Sequence, residues 1–272
     1  YKTKRTDTMN KTGEEPILSL PERHNRILAL LQQFGSISVA QLAERFKVSE
    51  VTIRKDLSYL EQQKKLYRTH GSAILISPYI SDRHVNEKEK RNVAEKRAIG
   101  AFAASLIAQD DSIIIASGTT VTFLAREINP AGHLTAITAS VPVTQILSQC
   151  PDVDVIQLGG ITRSSSVSVV GPFAEQMLRS FNCSKLFIGV DGIDTEFGLT
   201  TTNMLEASLN GAMIDAAQKV IVLADSSKFG RRGFSKICDL ESVDRIITDS
   251  GVQSVYLDRL RERGIEVTVV DV

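Results

Sequence analysis

The sequence predicts an α/β chain in two unequal parts: a small helical unit closed by a hairpin, then a larger, mostly parallel sheet domain. Three observations predict it. The 272 residues are enough for two domains. Near Val93 the texture changes, from short amphipathic helices to apolar strands that alternate with helices. The charge is also split. Residues 1–75 hold 13 Lys and Arg against 8 Asp and Glu, and the remainder holds 19 against 24. The net charge is zero, yet a basic front end on an acidic body is the asymmetry expected when one domain meets phosphate.

Residues 1–16 are polar and aperiodic, and are expected to be a disordered tail or an appended remnant. Residues 17–76 form the helical unit. Ser19 and Glu22 have capping-box spacing, with Pro21 in the first turn, and Ile27, Leu28, Leu30, Leu31 and Phe34 give an apolar stripe that Gly35 stops. Ser38 and Gln41 repeat the spacing ahead of Val39, Leu42, Ala43 and Phe46. Val48-Ser49 makes a turn, and Ser49 caps a third helix whose Ile53, Leu57 and Leu60 face inward. Leu66–Thr69 and Ala73–Ile76, joined at His70-Gly71-Ser72, predict a hairpin. Two helices, a Ser-capped third helix and a basic hairpin make a winged helix-turn-helix pattern. Its third helix would offer Ser49, Thr52, Arg54, Lys55 and Tyr59 to a duplex, and the hairpin would offer Arg68 and His70.

Residues 77–92 contain Pro78 and a charged run and are expected to be a linker. Residues 93–272 form the sheet domain. A helix is expected from Val93 to about Ala108. Strands follow at Ser112–Ala116, Leu134–Thr138, Val153–Leu158, Lys185–Val190, Lys219–Ala224, Arg245–Thr248 and Ile265–Val270. Near-continuous Ile, Val and Leu strands indicate a sheet covered on both faces. Several strands run into small polar residues: Ser117-Gly118-Thr119-Thr120, Ala139-Ser140, Gly159-Gly160, Asp191-Gly192 and Asp225-Ser226-Ser227-Lys228. The carboxyl ends of parallel strands share one edge, where open α/β sheets bind ligands. Hydroxyls and backbone N–H groups there suit an anion, with Lys228 as counter-charge.

Composition narrows the class further. Hydrophobic residues make up 42% and charged residues 24%, as in ordinary globular domains. No apolar run approaches the ~20 residues that cross a bilayer. The first sixteen residues lack the apolar stretch of a secretory leader. Cys150, Cys183 and Cys238 are far apart and odd in number, so neither a disulfide framework nor a metal site is expected. No cofactor or membrane partner is implied, and a cytoplasmic protein is the expectation.

The stretch Val48-Ser49-Glu50-Val51-Thr52-Ile53-Arg54-Lys55-Asp56-Leu57 resembles the DNA-binding domain of the DeoR family of bacterial regulators, and Leu66–Ala73 resembles that family's wing. Glu89-Lys90-Arg91, Ser117–Thr120, Gly159-Gly160, Gly189–Gly192, Gly198–Thr201 and Asp225–Phe229 extend the likeness over about residues 20–272. The resemblance implies a DNA-binding regulator of carbohydrate metabolism. It implies a sensor domain related in fold to ribose-phosphate isomerases and CoA transferases, and a sugar-phosphate effector whose binding releases the operator. The pocket positions it carries over are Ser117, Gly118, Thr119, Thr120, Ser140, Asp191, Glu206 and Lys228. Four departures stand out: Lys55 for the family's Arg, Ser72 for Gly, Ala116 for Asp and Ala139 for Asn. Alanine offers a sugar hydroxyl no partner. Either the effector has fewer hydroxyls, or other side chains read them, or sensing is weakened.

A helix-turn-helix protein engages paired half-sites, so a homo-oligomer, dimer or tetramer, is expected. Two other readings stay open. One is an effector-independent regulator whose second domain serves only assembly. The other is an isomerase-like enzyme in which Asp191, Glu206 and Lys228 supply acid and base.

Overall fold

A computed structural model describes residues 19–34, 36–63, 65–68, 71–75 and 84–272. The expected tail, Gly35 and the hairpin positions Thr69, His70 and Ile76 lie outside the described residues.

Helix α1 (Leu20–Phe34) starts where its cap predicts, with the Glu22 carboxylate accepting from the Ser19 N–H at 3.1 Å and hydroxyl at 2.7 Å. Strand β1 (Ser36–Ser38) follows, too short to leave a sequence signal. Helix α2 (Val39–Phe46) opens on a complete Ser38–Gln41 capping box and closes on Lys47 in the left-handed region, φ 52°. Helix α3 (Glu50–Gln62) opens on Ser49, whose hydroxyl accepts the Thr52 N–H. Strands β2 (Leu66–Arg68) and β3 (Ser72–Leu75) pair antiparallel, and β1 adds to β3 to make a three-stranded wing. Ile27, Leu31, Leu42, Ile53, Leu57, Leu60 and Leu66 are fully buried in one cluster. Each contributes about 1.5–3 kcal/mol of apolar burial.

A polar lock sits beside that core. Asp56, buried on α3, accepts from Arg23 Nε at 2.5 Å and from the other arm of the guanidinium at 3.1 Å. The His24 Nε2 lies 3.1 Å from the same carboxylate. The His24 ring also stacks on Tyr59, with centroids 5.1 Å apart.

The expected linker is partly structured. Residues 84–92 fold onto the sheet domain as helix α4 (Val85–Glu89) and a turn. The Val85 N–H donates to the Ser165 carbonyl at 2.7 Å. Helix α5 (Val93–Ala104) ends earlier than expected, because bonds three residues apart tighten the chain over Ser105–Ile107 and the Ser105 hydroxyl takes the Phe102 carbonyl. Gly100 lets α5 meet the next helix backbone to backbone: a Cβ there would lie 2.7 Å from the Leu124 nitrogen.

The chain then runs β4 (Ser112–Ile115), α6 (Thr119–Glu127), β5 (Leu134–Thr138), α7 (Val141–Leu147) and β6 (Val153–Gln157). A small hairpin, β7 (Ile161–Arg163) and β8 (Ser168–Val170), leads to α8 (Pro172–Leu178) and β9 (Lys185–Gly189). Next come β10 (Gly192–Asp194), β11 (Gly198–Thr201), α9 (Met204–Asp215), β12 (Val220–Leu223) and β13 (Ser235–Cys238). The chain ends with β14 (Arg245–Asp249), α10 (Ser254–Glu262) and β15 (Glu266–Val270). Seven strands form one sheet in the order β15-β14-β12-β9-β4-β5-β6, and every neighbouring pair is parallel. All seven were expected from their apolar runs. The antiparallel pair β7–β8 and the small sheet β10-β11-β13 were not.

Both sheet faces are covered, and strand alternation divides the core. Ile113, Ile115, Phe187, Ile221 and Leu223 join the cluster that includes Ile99, Val121 and Leu124 of α5 and α6. Ile114, Leu186, Ile188 and Val222 join the cluster on the opposite face, with Leu178, Leu209, Met213 and Leu260 of α8, α9 and α10.

Candidate functional site

Helix α3 presents a continuous exposed face. Val51, Arg54, Lys55, Ser58, Tyr59 and Gln62 line a shallow groove along it. Arg54 is tethered to Glu50 one turn earlier at 2.8 Å. Arg68 folds back onto α3: its guanidinium donates to the Ser58 hydroxyl and its N–H to Glu61 at 3.0 Å. Thr52 is half-buried, its hydroxyl 2.9 Å from that of Ser49. Lys55 is exposed and makes no ion pair among the described residues. The face therefore holds one free ammonium and two guanidinium groups, that of Arg54 held by Glu50 and that of Arg68 by the Ser58 hydroxyl with Glu61 at 3.9 Å.

In the sheet domain the chain passes from β4 outward through β5 and β6, then returns to the other side of β4 as β9. That reversal opens a crevice at the carboxyl ends of β4 and β9. Ser117, Gly118, Thr119 and Thr120 line it after β4 and Gly189, Val190 and Asp191 after β9, together with Thr201, Glu206, Asn210 and Lys228. Val85 and Lys88 of α4 and Arg163, Ser165 and Ser166 of the β7–β8 hairpin close it.

The groups in this cleft are unequally satisfied. Asp191 accepts from Lys88 Nζ at 2.7 Å and from the Thr201 hydroxyl at 3.1 Å. Burial would push its carboxyl up, but the Lys88 and Lys228 charges and those hydrogen bonds hold it below the ordinary aspartate value. Glu206 accepts from Arg163 at 2.8 Å and Thr201 at 3.3 Å. The Lys228 N–H donates to the Asp225 carbonyl at 3.0 Å, but its ammonium makes no hydrogen bond or ion pair among the described residues. Desolvation lowers its pKa, only partly offset by the charges of Asp225 and Asp191, while those of Lys88 and Arg231 lower it further. Helix α6 opens on Gly118, φ 132°, which has no side chain to cap it, so the first-turn N–H groups of Thr119, Thr120 and Val121 lack a capping hydroxyl. Ser140 caps α7 and Asn203 caps α9. A half-buried free cation and an uncapped helix start in one crevice can hold an anion.

Comparison with known proteins agrees with this geometry. Residues 23–79 match the model of a DeoR-like helix-turn-helix domain, and residues 91–250 match that of the DeoR C-terminal sensor domain. The chain belongs to the DeoR family. It is 39% identical to the uncharacterized HTH-type transcriptional regulator YulB of Bacillus subtilis, over 92% of this chain and 96% of that one. It is 37% identical to a putative aga operon transcriptional repressor of Escherichia coli O157:H7, over 95% and 97%. It is 36% identical to a lactose phosphotransferase system repressor of Streptococcus mutans, over 84% and 91%. Ribose 5-phosphate isomerase A of Neisseria gonorrhoeae overlaps it at 16% identity and a TM-score of 0.35, over 49% of this chain and 52% of that one, a likeness too remote to carry an argument.

Of the effector positions expected from the polar strand ends and from the family resemblance, Ser117, Gly118, Thr119, Thr120, Asp191, Glu206 and Lys228 come together in the cleft. Four do not. Ser140 is buried and holds the Val143 N–H of α7 at 3.4 Å. Gly159 and Gly160 sit exposed at the turn into β7, where a Cβ on Gly160 would lie 2.7 Å from the Val170 carbonyl. Gly192 is a close-approach position, its missing Cβ leaving room for the Arg231 carbonyl. The two alanine departures are also elsewhere. Ala116 and Ala139 are buried in the apolar core on neighbouring strands, just beyond the paired Ile115 and Thr138, and neither lines the cleft. Sequence reasoning missed Val85, Lys88, Arg163, Ser165, Ser166, Gly189, Val190, Thr201 and Asn210. Gly189, Val190 and Thr201 lay in family-like stretches; nothing marked the others as lining a cleft. On the DNA side, Ser49 is a cap, and His70 lies outside the described residues. No group of three or more His, Cys, Asp or Glu able to hold a metal ion occurs among the described residues, and no helix there is long and apolar enough to cross a membrane.

Proposed function

We propose that this chain is a repressor of a carbohydrate operon that reads operator DNA with α3 and its wing, and takes a sugar phosphate in the sensor cleft. The observation that carries the effector half is Lys228, a half-buried ammonium whose Nζ has no hydrogen-bond or ion-pair partner among the described residues, beside the uncapped start of α6. A phosphate group satisfies both at once. Asp191, Glu206 and Asn210 line the same cleft and suit the hydroxyls of a polyol. The names of the Escherichia coli and Streptococcus mutans relatives support a sugar-related operon.

The carboxylates favour a receptor over an isomerase. A general base needs a carboxyl free to take a proton. Asp191 is engaged by Lys88 and Thr201, and Glu206 by Arg163 and Thr201. Paired half-sites call for two or more copies on the operator, which fits a cytoplasmic homo-oligomer.

The test is a thermal-shift screen of the full chain against pentose and hexose phosphates. An effector at 100 times its Kd stabilises the protein by about 2.7 kcal/mol. Lys228→Met should abolish that shift while leaving the ligand-free melting temperature within a few degrees. An equal shift in the variant, or no shift with any sugar phosphate, rejects this assignment of the cleft.

A further inference from the structure

The cleft has a wall that comes from the segment entering the sheet domain from the DNA-binding unit. Residues 84–92 are fastened to the sensor from several sides. Arg126 of α6 pairs with Glu89 at 2.7 Å. The Asn92 amide donates to Asp225 at 2.8 Å. Lys96, buried at the start of α5, donates to the carbonyls of Lys88 at 2.5 Å and Arg91 at 2.6 Å, closing the end of α4. Lys88 projects into the cleft and makes a single side-chain hydrogen bond among the described residues, to Asp191. An ammonium has three donors. Two of them therefore remain for a ligand, in the same cleft as Lys228 and close enough for the two ammonium charges to repel.

Charge favours their use. Arg163 is committed to Glu206, and Lys88 shares Asp191 with Thr201. A phosphate monoester brings between one and two negative charges, more than Lys228 alone balances. Lys88 is the remaining cation whose donors are free.

We infer that Lys88 is a second phosphate ligand, and that through it the bound anion clamps α4 to the start of α6. Effector binding then tightens the segment that leads to the winged helix, giving the cleft a physical route to the DNA-reading unit. This inference rests on the anion-binding reading of the cleft. A ligand that bridges two elements stabilises their docked arrangement by mass action.

The experiment is amide hydrogen exchange on the full chain with and without saturating inorganic phosphate, against sodium chloride of equal ionic strength. Phosphate should slow exchange at Thr119–Val121 and also, by about tenfold, at residues 85–92. In Lys88→Met the protection at Thr119–Val121 should persist, weakened, while that at 85–92 disappears. Protection at Thr119–Val121 without any change at 85–92 in the wild type overturns the clamp and leaves the site standing. Phosphate protection of 85–92 that survives in Lys88→Met overturns the role of Lys88. No protection at Thr119–Val121 overturns the site itself. Lys88→Arg, which keeps the charge, should restore part of the response at 85–92; no restoration assigns the Lys88→Met effect to lost packing and also overturns the clamp.

Discussion

Removing the Asp56 carboxylate would leave the Arg23 guanidinium buried without its partner, and would free the His24 ring from its anchor under Tyr59. Breaking one side of a buried charge pair costs about 3–5 kcal/mol. Asp56→Ala should lower the unfolding free energy by that amount in denaturant titrations of the full chain, with the loss confined to the first transition if the two units unfold separately. A change below 1 kcal/mol would mean that the pair is solvated. Asp56 stands inside the most family-like stretch of the chain, yet its periodicity reveals only that it adjoins the core. Ala116 and Ala139 teach the same lesson in reverse. Their family counterparts are polar, so the sequence suggests lost ligand contacts, but the strand register turns both methyl groups into the core.

Helix α4 has only five residues, too few to be stable by propensity. It persists because Lys96 satisfies the carbonyls at its end and Arg126, Asp191 and Ser165 hold its sides. Burial is the main cause that lowers the Lys96 pKa, to about 8. The ordinary lysine value is 10.5. Between those pH values the unfolded chain binds a proton that the folded chain has released, so the free energy of unfolding rises with pH. The cost of burying the charge is fully present below pH 8. Wild-type stability relative to Lys96→Met should therefore increase from about pH 8 to 10 in urea titrations. A flat difference would show that the ammonium stays charged. The helices of the winged unit were legible because caps and apolar stripes are local. Strand β1, the hairpin β7–β8 and the sheet β10-β11-β13 were not, because they are three or four residues long and paired by distant chain.

The winged unit buries one apolar cluster and the sheet domain two, one on each face of its sheet. Charge divides the molecule in the same way, basic before residue 76 and acidic after it. The acidic body faces like charge on DNA, which favours an approach led by the winged unit. Operator affinity should fall steeply with salt, and Lys55→Ala should make the slope of log K against log salt shallower by about one. Because phosphate contact carries no sequence information, the variant should weaken all operator sequences alike. Fluorescence anisotropy at several salt concentrations reads both effects. An unchanged slope removes Lys55 from the phosphate contacts, whereas a loss restricted to one operator position makes it a base reader.

The sequence by itself determined the helical unit and its caps, the seven parallel strands, and the polar strand ends that mark one edge of the sheet. These follow from local spacing, since a cap acts within one turn and a strand shows its burial in consecutive residues. It could not decide which polar strand ends share a cleft. The reversal between β6 and β9 brings Ser117 and Asp191 together and leaves Ser140, Gly159 and Gly160 to caps and turns. Nor could it show that a charged run expected to link two domains folds into a wall of the sensor. Lys88 and Asp191 are 103 residues apart, and only the closed tertiary structure brings such distant charges into contact.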